Sequence, residues 1–468
     1  MRSMAFSVLG QLKYQLLEHR FIHTMRLGLI VSTLGLTFLT AILLSTRQTL
    51  GMVMIALVAG VGVIIFVYHS LELSAFLLLL ISTIINPKLP RDMTITLLFL
   101  LLILLIWAFK LIIAQRSFQS VVPAPPNKTV LLFVFAVIIS YVWSSLYVDP
   151  SARWVQEDKA LPRLVTGVVM IVSPFAMLFY GNMLRTLASI KRVIWYFIVF
   201  GGIISVIRLL NVPLPPIVNI SGQLPAWASI FAAGQLFYND KLSWIQRLVL
   251  AGMIALWFQI QVGLGMTWLS GWFPLLIGVA IVLFLRTRLV FLLAFLAFCA
   301  YIFTNQDILQ KDFAAEQQES GDSRVAAAEF FVGVNNEHFL FGTGPTGPYF
   351  YLIAYAPGVQ LTHNNYFDIY SQTGVFGFAA WMLLWLSIGW TAFKTKRASP
   401  ERGFEAGLTT SLLAIFPVTM VTMALGDWVT PFTYIQTEAG ISYTIWPWLW
   451  AGVTIAMYHR LRAVQNGE

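Results

Sequence analysis

Of the six histidines in the chain, only His338 and His363 fall in its one long polar segment, residues 305–365. His363 stands in Thr362-His363-Asn364-Asn365-Tyr366, immediately before an apolar run. Imidazole titrates near neutrality, so at a membrane–water boundary His363 can accept a proton from a hydroxyl or orient one. The plainer reading is a solvated side chain that joins Thr362 and Asn364 in capping the next helix. His338 has a helical neighbourhood and no motif, and reads as structural or solvated. Arg208 lies near the end of an apolar run, within Ile203–Leu210, where a charge is costly and either acts or snorkels to the interface. Arg163 precedes another apolar run, as an interfacial anchor or a ligand. Arg324 follows Asp322, as a solvated helix-start residue or a functional one. Asp368, Asp427 and Glu438 offer carboxylates, but no two have a spacing that argues for a paired acid and base. No DxD or other metal-ligand cluster is present in the sequence, so no metal and no cofactor is expected. The single cysteine, Cys299, excludes an internal disulfide and a Cys-based metal site.

What must position these residues is a set of membrane helices. Apolar residues make up 58% of the 468 and charged residues 10%, where a soluble chain carries about a quarter charged. Mean hydropathy is +0.79. Apolar windows of about 20 residues, the length needed to cross hydrocarbon, recur along the chain. In lipid each backbone N–H and C=O needs an internal partner, so such windows mean helices. The period-2 pattern of an outer-membrane barrel is absent. A net charge of +9 raises nucleic acid as a partner. The basic residues instead cluster between apolar runs, which is a topology signal, and no nucleic acid is expected.

Windows fall near 27–45, 50–69, 71–85, 94–114, 129–147, 164–182 and 193–211, then 224–238, 248–263, 268–285, 288–304, 366–393, 408–425 and 441–458. They predict an all-α, polytopic integral membrane protein of about 14 (roughly 12 to 14) transmembrane helices. With both termini inside, the inner loops hold 20 of the 29 Lys and Arg, as the positive-inside rule requires. Arg2, Lys13, Arg20 and Arg26 precede the first window. No small-residue cleavage site follows Leu27–Ser45, so the segment reads as a retained anchor. The organisation is then a basic cytoplasmic segment 1–26, helices over 27–304, a large partly helical outer-face loop 305–365, helices over 366–458 and a cytoplasmic tail 459–468.

A loop of that length in a compact protein is usually functional. It opens acidic and Gln-rich from Asp312 to Asp322. An amphipathic helix follows over Ser323–Glu337, capped by Asp322 or Ser323, with Val325, Phe330, Phe331 and Val334 as apolar contacts. Gly342-Thr343-Gly344-Pro345-Thr346-Gly347-Pro348 ends it, either as chain-reversing turns or as a backbone nest for an anion. An aromatic stretch, Tyr349 to Tyr355, comes next. The 16 tryptophans, many near window ends, read as interfacial belts.

Four pieces occur in order across Asp322–Gly377: Ser323-Arg324 at a helix start, Phe341-Gly342-Thr343-Gly344, His363-Asn364 before Tyr366, and Gly374-Val375-Phe376-Gly377. Together they resemble the signature region of the O-antigen ligase and Wzy-type polymerase superfamily. These are bacterial membrane glycosyltransferases that use polyprenyl-diphosphate-linked glycans. The resemblance implies an inverting, metal-independent transfer on the outer face of a bacterial inner membrane. The donor is an undecaprenyl-diphosphate-linked glycan. The acceptor is a growing glycan, lipid A-core or a similar hydroxyl, and the lipid bilayer is the remaining partner. It implies His363 as catalytic residue and Arg208, Arg324 and Arg163 as diphosphate ligands, arginine suiting that task through its planar, permanently charged fork. Asn364, Tyr366 and Trp428 become acceptor or sugar contacts, with Tyr349 to Tyr355 as a further stacking surface.

The chain also departs from that family. Many members carry an arginine before a Ser-Gly and another in a Ser-Arg-Gly element. The corresponding stretches here read Asn219-Ile220-Ser221-Gly222 and Leu269-Ser270-Gly271-Trp272. Phosphate binding then falls to other arginines, or the activity is altered. Two further classes stay open. A polysaccharide or lipid transporter predicts ionisable residues deep in several spans and symmetry-related broken helices, and few mid-span charges are found. A non-catalytic assembly subunit is the other.

Overall fold

A computed structural model describes residues 60–84, 94–113, 121–150, 152–158, 160–213, 224–260, 269–304, 306, 322–356, 363–431 and 440–466. Among these residues the chain is helical throughout, with no strand. It divides into two units, Met1–Ser70 and Leu71–Glu468. In the first, the described element is the apolar helix α1, Gly60–His69. The window at 27–45 and the start of that at 50–69 lie outside the described residues.

The second unit contains α2 (Leu71–Ile84), α3 (Ile95–Ile113), α4 (Pro126–Leu146), α5 (Arg153–Asp158), α6 (Ala160–Met183), α7 (Leu187–Leu209) and α8 (Leu224–Tyr238). It continues with α9 (Trp244–Phe258), α10 (Leu269–Arg286), α11 (Arg288–Thr304), α12 (Asp322–Glu337), α13 (Gly347–Tyr355), α14 (Asn365–Ala398), α15 (Phe404–Leu425) and α16 (Ile441–Asn466). Each apolar window expected from residue 71 onward is a helix. Six of them, α3, α4, α6, α7, α14 and α15, are long and apolar enough to cross a membrane. Their outward faces carry bare apolar side chains such as Leu105, Ile112, Leu131 and Phe135, far more than a water-facing surface tolerates. The protein is membrane-embedded and helical.

Close helix approach explains the packing. Between helices in lipid the hydrophobic effect supplies little, so small residues that let backbones meet matter most. A Cβ on Gly181 of α6 would collide with Ile455 of α16, and one on Gly452 with the Met177 carbonyl and Tyr180. Gly234 of α8 and Gly407 of α15 face each other in the same way. The wider gaps are filled by indoles. Trp227, Trp257, Trp381, Trp385, Trp446, Trp448 and Trp450 are fully buried, which corrects the reading as interfacial belts for these seven, whereas Trp154, Trp244 and Trp390 are exposed. Two of these buried indole N–H groups have hydrogen-bond partners. Trp446 donates to Ser82 Oγ at 2.9 Å and Trp448 to the Val429 carbonyl at 2.9 Å.

The long polar segment supplies α12 and α13. Phe331 and Ala327 of α12 pack on Leu352 of α13, with Phe330 beside them. Val325, expected to join that contact, is exposed, because it lies on the opposite side of the helix. The aromatic stretch itself is helical, which its turn-rich neighbourhood did not foretell.

The segment is stitched into α14 where that helix breaks. Gly374 has φ 65° and ψ −171°, a region that only glycine occupies without strain. The break removes the bonds that would join residues four apart. It therefore strands the Ser371 and Gln372 carbonyls and the Val375 and Phe376 N–H groups. Thr343 N–H donates to Ser371 and Gly344 N–H to Gln372, both at 2.9 Å. Val375 N–H donates to Phe339 at 2.9 Å and Phe376 N–H to Leu340 at 3.2 Å. The two backbones cross so closely that a Cβ on Gly374 would overlap the Leu340 carbonyl. One on Gly342 would overlap the Gln372–Gly374 backbone. Gly374→Ala is expected to destabilise the protein by at least about 1–3 kcal/mol, the cost of a glycine-only conformation. Gly333→Ala, on open helix surface, is expected to be neutral or stabilising. Thermal unfolding of the two variants in one detergent checks the contrast.

Candidate active site

The stretch of α14 before the break, Asn365–Thr373, is polar yet buried: Asn365, Asp368, Ser371, Gln372 and Thr373 are each at most 1% exposed. Its start is fixed by Asn364, whose side-chain oxygen accepts from the Tyr366 and Phe367 N–H groups at 3.0 and 3.4 Å. That is a standard N-cap, and it satisfies donors the helix leaves bare. His363 precedes it with φ 45°, a left-handed conformation in which histidine is enriched among non-glycine residues.

Three consecutive side chains then clamp this start onto the end of α15. Asn364 Nδ2 donates to the Ala424 carbonyl at 3.2 Å and Tyr366 Oη to the Met420 carbonyl at 2.7 Å. Asn365, wholly buried, accepts from Val429 N–H at 3.1 Å and Thr430 N–H at 3.4 Å. Its own Nδ2 donates to the Thr430 carbonyl at 2.9 Å. The clamp sets Asp427 beside His363, Oδ2 lying 3.1 Å from Nδ1. The carboxylate is fully buried, whereas the imidazole keeps 37% of its surface exposed.

An ionised carboxylate can only accept, so Nδ1 carries a proton, and in the neutral form of the imidazole Nε2 presents its lone pair. Nε2 has no protein partner among the described residues. A buried carboxylate that orients an imidazole and stabilises its protonated form is the arrangement used for general-base work. Trp428, next in the chain, is half-buried and packs its ring 5.6 Å from that of Tyr443. Sequence spacing had left Asp427 unpaired. The pair is carboxylate with imidazole across 64 residues, and only the docking of α14 on α15 creates it.

The expected site residues do not all gather here. His363, Asn364, Tyr366 and Trp428 do, although Asn364 and Tyr366 spend their polar groups on the clamp. Arg163 is buried under the Gly342–Pro348 turn. Its Nη2 donates to the Tyr141 carbonyl at 3.0 Å, Ser144 Oγ at 2.5 Å and Ser145 Oγ at 3.0 Å. Its guanidinium also lies 4.8 Å from the Tyr141 ring centroid. Arg208 is half-buried in the last turn of α7. Arg324 is in the first turn of α12, and its side chain lies outside the described residues. So do Asn219–Gly222 and Glu438.

The turn itself is not an anion nest. Thr346 N–H donates to Gln372 Oε1 at 3.0 Å. The Gly342, Thr343, Gly344 and Gly347 N–H groups bond to protein carbonyls. With every one of these donors engaged, the turn reading of the sequence holds. Ser140 Oγ donates to the Gln372 carbonyl at 2.6 Å, Asn335 Nδ2 to Ser371 Oγ at 3.2 Å, and Thr346 Oγ1 to Thr166 Oγ1 at 2.7 Å. α4, α6, α12 and the turn thus converge on the polar half of α14. Among the described residues no three His, Cys, Asp or Glu side chains gather as a metal site. Compared with protein-family models and with curated proteins, the chain matches none.

A second titratable cluster braces the loop. Tyr351 Oη lies 2.6 Å from His338 Nε2, and Tyr355 Oη donates to Asp149 Oδ2 at 2.6 Å. Burial, reinforced by Asp149 nearby, raises Tyr351 above the usual phenol range. The protonated phenol donates to Nε2 in the tautomer that carries its proton on Nδ1, and accepts from Nε2 in the other. Burial lowers His338 below its ordinary 6.5, outweighing Glu337 and Asp149, which favour the charged form. The depressed value means that the stabilisation is complete above pH 6.5 and is lost as pH falls through the lower folded value. Wild type is expected to lose thermal stability more steeply on acidification below pH 6.5 than His338→Gln does, as unfolding scans across pH 5–8 will show.

Proposed function

We propose that the protein is a membrane glycosyltransferase of the O-antigen ligase and polymerase type. It moves a glycan from an undecaprenyl-diphosphate-linked donor to an acceptor hydroxyl. The observation that carries this reading is the His363–Asp427 pair, built by buried side chains at the mouth of a membrane-embedded bundle. An acceptor hydroxyl oxygen attacks the anomeric carbon as its proton passes to His363 Nε2. The bond from that carbon to the diphosphate breaks, and configuration inverts. Buried Asp427 stabilises the imidazolium that forms, without taking the proton itself. The departing diphosphate needs fixed positive charge. Arg208, Arg324 and Arg163 are the candidates for that role, with Arg163 Nη2 already bonded to the Tyr141 carbonyl and the Ser144 and Ser145 hydroxyls of α4. Trp428 offers an aromatic face to a sugar beside the imidazole.

The resemblance gains support from the crossing of Gly342 and Gly374, since two of its sequence pieces meet in space. The concentration of Lys and Arg at the helix ends away from His363 supports about 14 helices with both termini inside. His363 then faces the outside of a bacterial inner membrane. The acceptor is a growing glycan, lipid A-core or a similar hydroxyl.

The break at Gly374 favours a second reading, a polysaccharide or lipid transporter, because transporters bind cargo at broken helices. An inverted repeat would require a counterpart. Among the described helices Gly374 is the interior residue with non-helical angles, and its freed groups are bonded within the protein.

Transfer from an undecaprenyl-diphosphate-linked glycan by the purified protein tests the proposal. His363→Ala is expected to lose about 10²–10⁴-fold in rate, the usual worth of a general base. Asp427→Asn should lose comparably, because an amide favours the wrong tautomer of the imidazole. Undiminished transfer by a folded His363→Ala protein would refute the mechanism. Glycan flux into proteoliposomes without covalent transfer would favour the transporter.

A further inference from the structure

α14 carries His363 at one end and Lys396 near the other, and around Lys396 lies a different kind of site. A half-open cavity of about 190 Å³ is lined by Phe237, Tyr238, Asp240, Arg247, Arg286 and Arg402. The three arginines come from three separate places: the first turns of α9, the end of α10, and the α14–α15 connection. Tyr238 is buried and takes two cations on its ring, with Lys396 Nζ 4.8 Å and Arg286 Cζ 5.3 Å from the centroid. The frame is tied by Gly403 N–H, which donates to the Tyr238 carbonyl at 2.8 Å, and by Arg247 Nη2, which reaches the Asn239 carbonyl at 3.4 Å. Asp240 in the lining and Glu401 beside Arg402 are the nearby carboxylates. Neither Asp240 nor Glu401 is seen at ion-pair distance from the four cations among the described residues, although the charge of Glu401 acts on Lys396.

Positive-inside topology explains basic residues at these loops, but not their convergence on one cavity and one ring. Four cations gathered with no carboxylate at ion-pair distance among the described residues, and Glu401 acting on Lys396 only through its field, leave an excess of positive charge. That excess favours an anion, and guanidinium forks match phosphate oxygens. The cavity holds several times the share of liquid volume of one water, about 30 Å³, which accommodates a phosphate group. Exposed apolar residues neighbour two of its arginines in the chain. Arg247 sits between exposed Ile245 and Leu248, and Arg286 follows exposed Phe284 and Leu285. We propose that this cavity holds the phosphate of an anionic phospholipid headgroup, whose acyl chains lie along α9 and α10. Basic pockets between membrane helices bind such headgroups. The site is independent of the chemistry at His363, which belongs to the other end of the bundle.

The test uses full-length protein in a neutral detergent, followed by thermal unfolding and native mass spectrometry. Dioleoyl phosphatidylglycerol, dioleoyl phosphatidylcholine and inorganic phosphate are titrated separately. Phosphatidylglycerol is expected to raise the unfolding temperature and to remain bound in the mass spectrum. Combined Arg247→Gln, Arg286→Gln and Arg402→Gln should shift the half-effect concentration at least about tenfold upward, each cation near an anionic headgroup contributing to binding. Equal stabilisation by phosphatidylcholine, or by inorganic phosphate at the same concentration, overturns the proposal. So does an unshifted response in the triple variant. If that variant does not fold, the three wild-type titrations decide alone, and Arg402→Gln in the connecting loop supplies the variant arm.

Discussion

A backbone group stranded inside an apolar bundle has no water to bond, and the cost of leaving it bare is several kcal/mol. That constraint governs the break at Gly374. Once α14 leaves helical geometry there, two carbonyls and two N–H groups need partners, and residues 339–344 supply them. The long polar segment is thereby fixed to the bundle, not draped over it. Gly342 and Gly374 allow the crossing because a side chain at Gly342 would occupy the Gln372–Gly374 backbone and one at Gly374 the Leu340–Phe341 backbone. The break in turn separates a polar, buried half-helix from the apolar remainder of α14.

Everything proposed for His363 depends on that half-helix being rigid. Asn364, Asn365 and Tyr366 bond to residues 420–430, while Gln372 and Ser371 take bonds from α4, α12 and the turn. Buried polar networks are costly when partly satisfied and rigidifying when complete. This one holds a buried carboxylate against a half-exposed imidazole. Preorganisation of that kind lets a histidine act as a base without reorganising its surroundings. The two ends of α14 thus differ in chemistry. One carries a hydroxyl-rich network with a carboxylate–imidazole pair. The other gathers Arg247, Arg286, Lys396 and Arg402 around Tyr238.

Much of this was legible in the sequence. Composition and apolar windows determined a helical membrane protein, because hydrocarbon admits helices or closed barrels and the alternating pattern of barrels is absent. The windows from residue 71 onward located their helices, since a run of apolar residues long enough to cross lipid has few other solutions. The polar segment marked where the candidate site lies, and His363 and the Gly342–Pro348 turn stood out by residue type alone. The tryptophans misled, because composition does not distinguish an indole at an interface from one filling a gap between helices. Val325 misled for a related reason, as a short helix with a weak apolar stripe does not declare which face it buries.

What only the tertiary structure decided is which residues meet. Asp427 was one carboxylate among several until the side chains of Asn364 and Asn365 docked α14 on the end of α15 and set it against His363 Nδ1. The three arginines around Tyr238 read as separate topology signals until helix packing brought their ends together. Arg163 read as an interfacial anchor or a ligand, and only the packing of α4 on α6 showed Ser144 and Ser145 bonded to it. Sequence periodicity reports the face a helix turns to lipid or to its neighbours, because that depends on local spacing. A pairing across 64 residues depends on how helices pack against one another, and no local pattern in the chain encodes it.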